Sequence, residues 1–105
     1  MSIASAAIQT TETTVCLAGA GETRAVLSVI FCNVTAADCN LTFYAIKSGG
    51  TAGNGTTVMY NITIPAGDSL LWTGGEKFIL DAGDKLSALC GSNNAITSTA
   101  NYYLL

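Results

Sequence analysis

The rhythm of turn signals along this chain leaves it few folds to choose from. Runs of β-branched and aromatic residues are cut, about every 8–12 residues, by clusters of Gly, Asn, Asp and Ser. Apolar residues nowhere keep the three-to-four spacing of an amphipathic helix. Glu12 to Leu17 is a β-rich run stopped by Ala18-Gly19-Ala20-Gly21. Thr23 to Val34 is the most hydrophobic stretch and reads as a strand buried on both faces near a sheet centre. Cys39 to Lys47 alternates, with Leu41, Phe43 and Ala45 on one face and Thr42, Tyr44 and Ile46 on the other. Ser48 to Gly55 is a glycine-rich loop, and Thr57 to Ile64 is again strand-like. Ser69 to Thr73 is followed by Gly74-Gly75, a tight-hairpin signal. Lys77 to Asp81, Lys85 to Cys90 and a last run from Ala95 toward Leu105 complete the series. About eight antiparallel strands at this spacing indicate a sandwich or barrel; the expected fold is all-β, a single jelly-roll-like β-sandwich over residues 12–105. Residues 1–11 (MSIASAAIQTT) have no period that would fold alone and read as a short N-terminal arm. Such an arm can add backbone hydrogen bonds at a neighbouring subunit's sheet edge, with Ile3 and Ile8 as its apolar contacts.

Composition narrows the function. The 105 residues suffice for one domain, and only 11 of them are charged, half as many as the 22 serines and threonines. The polar surface is therefore built from neutral groups. A net charge of −3, with Arg24, Lys47, Lys77 and Lys85 as the cations, argues against nucleic-acid or anionic-membrane partners. The absence of histidine removes every His-containing triad. No leader or membrane-spanning run stands out, so synthesis in a cytoplasm is expected.

No enzyme signature emerges. Gly19-x-Gly21 has Arg24 where a dinucleotide fingerprint needs glycine, and Gly74-Gly75-Glu76-Lys77 lacks the spacing of a P-loop. The seven carboxylates fall at strand starts or turns; Glu76 and Asp84 are the ones to test if any turnover is found. Asp81-Ala82-Gly83-Asp84 is explained as a turn without a Ca²⁺ ion, and no cofactor is expected. It echoes Pro65-Ala66-Gly67-Asp68 sixteen residues earlier, and the two read as equivalent corners of a sandwich. Four Asn-x-Thr triplets, at Asn33, Asn40, Asn54 and Asn61, are attributed to the abundance of threonine. The cysteines Cys16, Cys32, Cys39 and Cys90 match no zinc spacing. Free thiols suit a cytoplasmic chain, while Cys32 and Cys39, flanking a turn, leave a disulfide open. Among the aromatics, Trp72, Tyr102 and Tyr103 are interface candidates, and adjacency forces Tyr102 and Tyr103 to opposite faces.

The Glu12-Thr13-Thr14-Val15 start, the Thr23 to Val29 strand, Asn33, the two Ala-Gly-Asp corners and the closing Tyr102-Tyr103-Leu104 together carry a resemblance. From about Glu12 to Leu105 the chain resembles small β-sandwich virion structural proteins of tailed bacteriophages. The resemblance implies a non-enzymatic capsid decoration or cement subunit, made in the host cytoplasm and located in the virion. Its implied partners are other copies of itself, as a trimer, and the major capsid protein. A tail or fibre subunit is the alternative. A lectin-like module is a further one, with Trp72 stacking on a sugar and Asn54, Asp68 or Asn93 supplying polar contacts.

Overall fold

The computed structural model describes residues 2–73 and 78–105. Among these, nine strands follow in order: β1 (Ser2–Ile8), β2 (Thr13–Leu17), β3 (Arg24–Asn33), β4 (Cys39–Ile46), β5 (Thr57–Ile64), β6 (Ser69–Trp72), β7 (Phe78–Leu80), β8 (Lys85–Cys90) and β9 (Ile96–Leu104). A short 3-10 turn, Asn54–Thr56, precedes β5. One antiparallel sheet has the order β1-β9-β3-β6, with β7 also on β3; the other is β2-β8-β4-β5.

The topology is a long hairpin rolled up on itself. The outermost strands β1 and β9 pair, then β2 with β8, then β3 with β6 and β7, then β4 with β5 at the tip. Rolling adds the contacts of β3 with β9 and of β4 with β8. This is the strand order of a jelly roll, within the sandwich class expected from the sequence.

Three local features differ from the sequence reading. Residues 2–8 are no arm: β1 pairs over seven residues with β9 of its own chain. The fully buried Ile8 anchors it, and the small Ala4 and Ala6 pack inward, so β1 docks by fit and not by a strong period. Second, β6 and β7 are no hairpin. Both pair antiparallel with β3, at Val29 to Cys32 and at Arg24 to Val26, so they run the same way along one sheet edge. They lie one after the other along the same edge of β3, and Gly74-Gly75 between them lies outside the described residues. The ninth strand, beyond the eight expected, is β1. Third, β3 is central but buried on one face only. Val26, Val29 and Phe31 are inaccessible, whereas Ile30 on the other face is exposed.

The two Ala-Gly-Asp corners are equivalent, as expected. Each crosses between the sheets, from β5 to β6 and from β7 to β8. Asp68 N donates to Pro65 O (3.0 Å) and Asp84 N to Asp81 O (2.8 Å). Gly67 and Gly83, at φ 72° and 87°, take the left-handed third position of such a turn. Between the sheets, Phe31 meets Phe43 edge-on at 5.2 Å, Phe43 meets Trp72 at 6.1 Å, and Trp72 stacks on Phe78 at 4.5 Å. The fully buried rings of Phe31 and Phe43 contribute about 1.5–3 kcal/mol each.

Candidate interaction surface

Alternation along the β1-β9-β3-β6 sheet sends one set of side chains into the core and the other outward. Ile8, Val29, Phe31, Ile96 and Ala100 go inward. The outward set lines up in rows through the register. Ile3, Asn101 and Ser28 form one row; Ser5, Thr99, Ile30 and Leu71 a second; Ala7, Thr97, Cys32 and Ser69 a third. Tyr103, Ala25 and Ile79 form a fourth.

None of these residues is charged. Every one is aliphatic, aromatic, thiol, hydroxyl or amide. The exposed apolar members are Ile3 (66%), Leu71 (57%), Ile79 (51%), Tyr103 (42%) and Ile30 (38%). The described charges lie on turns, on the opposite sheet or in local ion pairs. Lys85 Nζ meets Glu12 Oε2 at 2.9 Å, and Arg24 Nη2 meets Glu22 Oε1 at 3.1 Å. The Lys85 ammonium holds the Glu12 carboxyl below its ordinary range. Gly19 N–H, donating to Glu22 at 2.8 Å, does the same for that carboxyl, with Arg24 adding to it.

The interface residues expected from sequence fall on both sides of this sheet. Ile3 and Tyr103 lie on the outer face. Ile8 is a core residue instead, because β1 docks through it. Trp72 faces the sandwich interior between Phe43 and Phe78 and is half-buried, with one face of its ring stacked on Phe78. Tyr102 faces inward, its ring 4.3 Å beneath the Arg24 guanidinium. Ile30, Leu71 and Ile79 were missed. Their signal was the offset between Val29-Phe31 and Ile30-Cys32, hidden by reading the whole run as buried on both faces.

The remaining candidates hold the structure together locally. Asp84 Oδ1 accepts Ser48 N–H at 2.9 Å and Oδ2 accepts Asp81 N–H at 3.1 Å, so both carboxylate oxygens clamp loops. Asn93 Oδ1 accepts from Thr10 N, and Asp68 Oδ1 from Ser69 N. Asn54 sits in the 3-10 turn before β5. Glu76 lies outside the described residues. Cys32 and Cys39 are not bonded: Cys32 points out of one sheet and Cys39 into the core from the other, and all four thiols are free. Among the described residues no three His, Cys, Asp or Glu side chains cluster as metal ligands. Compared with known protein families, curated proteins and solved structures, the chain matches none.

Proposed function

We propose that this chain is a non-enzymatic structural subunit of a phage particle, a decoration protein that seats on the assembled shell. The observation that carries the reading is the outer face of the β1-β9-β3-β6 sheet, uncharged among the described residues. Four strands about 4.8 Å apart and up to about 30 Å long give roughly 600 Å². That approaches the roughly 800 Å² per partner of a stable protein interface. A face of Ile, Leu, Tyr, Thr and Ser loses little on leaving water, because no ion has to be desolvated.

The mechanism is mass action. A subunit that binds the closed lattice and not its free parts stabilises the lattice by about 2.7 kcal/mol per site at a hundredfold excess over Kd. The resemblance to virion proteins supports the same reading.

The test is co-sedimentation with preassembled shells of the virus that encodes the chain. Wild type pellets with the shells. The double variant Ile30→Lys/Leu71→Lys, altered at two exposed positions, loses at least tenfold in affinity because its ammonium groups must be buried. Failure of the wild type to pellet, or equal binding by the variant, overturns the proposal. Copy number in purified particles, by quantitative mass spectrometry, separates shell from tail: hundreds indicate the shell, about a dozen the tail.

A further inference from the structure

The two sheets of a sandwich have four edges, and in this molecule three are broken. The β2 edge is bulged between Thr14 and Cys16. The β5 edge is bulged twice, between its pairings with Leu41 and Phe43 and again before Tyr44, with Asn61 at φ 50°. The opposite edge of the other sheet is divided into β6 and β7. Bulges and breaks are how sheets prevent edge-to-edge pairing. The fourth edge has no such protection. β1 runs Ser2–Ile8 in unbroken register, and contains no proline, glycine or charge.

The ladder fixes which backbone groups this edge presents. Val34 N–H donates to Ala95 O on the β3 side of β9, so the N–H and C=O of Ile96 face β1 and pair with Ile8. Alternation then turns Ser2, Ala4, Ala6 and Ile8 toward β9, and the N–H and C=O of Ile3, Ser5 and Ala7 toward the open side. Ala7 O is reached by Gln9 Nε2 at 3.0 Å. The groups of Ile3 and Ser5 have no strand partner among the described residues.

We infer that β1 pairs antiparallel with β1 of a second copy, joining two sandwiches through one continuous sheet across a twofold axis. The inference rests on the reading that the chain assembles with copies of itself. At this edge, local charge does not oppose a second copy as the occupant. Chains of net charge −3 repel, yet β1 carries no charge, and the ion pair beside β2 on the same flank, Glu12 with Lys85, cancels internally. A strand of about 24 Å on a two-layer flank roughly 20 Å thick gives roughly 500 Å² per copy. The total, about 1,000 Å², is at the lower limit for a specific interface. Twofold pairing predicts even-numbered assemblies, in contrast to the trimer that the family resemblance implies.

The experiment is sedimentation velocity on the full chain from low to high micromolar concentration, with amide exchange read residue by residue. Wild type forms dimers, and the Ile3, Ser5 and Ala7 amides gain protection as concentration rises. Ser5→Pro removes an outward N–H and no bond to β9, so it keeps the wild-type circular dichroism and weakens dimerisation at least tenfold. Ile3→Pro tests the same edge independently should Ser5→Pro unfold. A wild type that stays monomeric or sediments as a trimer, or a folded Ser5→Pro that dimerises as well as wild type, overturns the inference. Ile30→Lys/Leu71→Lys keeps the dimer while losing the shell, so the two proposals fail separately.

Discussion

Asn33 uses its whole amide. Nδ2 donates to Ala37 O (2.8 Å) and Ile64 O (2.9 Å), and Oδ1 accepts from Thr35 N (3.0 Å) and Thr35 Oγ1 (2.8 Å). It has no exposed surface, so it ties the β3–β4 turn to the end of β5 from inside and cannot carry a glycan. Asn33→Ala leaves several of these partners unpaired in a dry site and is expected to cost about 3 kcal/mol. The check is a urea denaturation midpoint at unchanged slope; a loss under about 1 kcal/mol would refute the role. Strand alternation places Asn33 on the same side as Val29 and Phe31, but Ile64 is 31 residues away in sequence, so the bond that matters was not legible. The thiols differ in the same way. Cys16, Cys39 and Cys90 are buried and Cys32 is half-exposed, while burial pushes the Cys90 thiol above its ordinary range. Under native conditions a thiol reagent is expected to modify Cys32 quickly and the other three only on unfolding. Rapid reaction of two or more thiols would contradict this placement.

At the scale of elements, the corners show how much local chemistry can announce. Ala-Gly-Asp two residues after an apolar one, Ile64 or Leu80, marked both crossings between sheets, because a turn with a left-handed third residue selects glycine whatever surrounds it. What the pattern did not show is how differently the two glycines are surrounded. A Cβ on Gly67 would meet open space, while one on Gly83 would collide with the Ser48 side chain. Gly67→Ala should therefore cost about 1 kcal/mol from backbone strain alone. Gly83→Ala should cost clearly more, since Ser48 must also move. Thermal melts of the two variants side by side decide it, and equal losses would contradict the packing. The hairpin expected around Gly74-Gly75 does not form, because β6 and β7 both pair with β3 and not with each other. The long β3 edge, which accepts both β6 and β7, is a tertiary fact that no short window contains. β1 was misread for a related reason: its partner β9 lies at the far end of the sequence.

For the whole molecule, the sandwich class and eight of the nine strands follow from punctuation, whereas the uncharged face follows only from knowing which strands share a sheet. Charge sets the pH range of the fold. Glu12 and Glu22 titrate below their ordinary range when folded, so the stability they lend is present above about pH 4.5 and is lost as pH falls through their folded values. Cys90 is raised, so its contribution is present below the ordinary thiol range and is lost as pH rises through its folded value. A stability plateau between about pH 5 and 8 is expected from denaturant midpoints, with a shallower acid limb in Glu12→Gln/Glu22→Gln. An acid limb unchanged in that variant would assign it to other carboxylates. The rolled hairpin also dictates a timetable. The ladder from Ser2 to Tyr102 closes a loop of nearly the entire chain, and β9 must slot between β1 and β3 to close it. Such remote pairing places folding in the millisecond-to-second regime. A nascent polypeptide still waiting for β9 therefore holds two adhesive flanks apart, and that interval is when a chaperone has most to offer it.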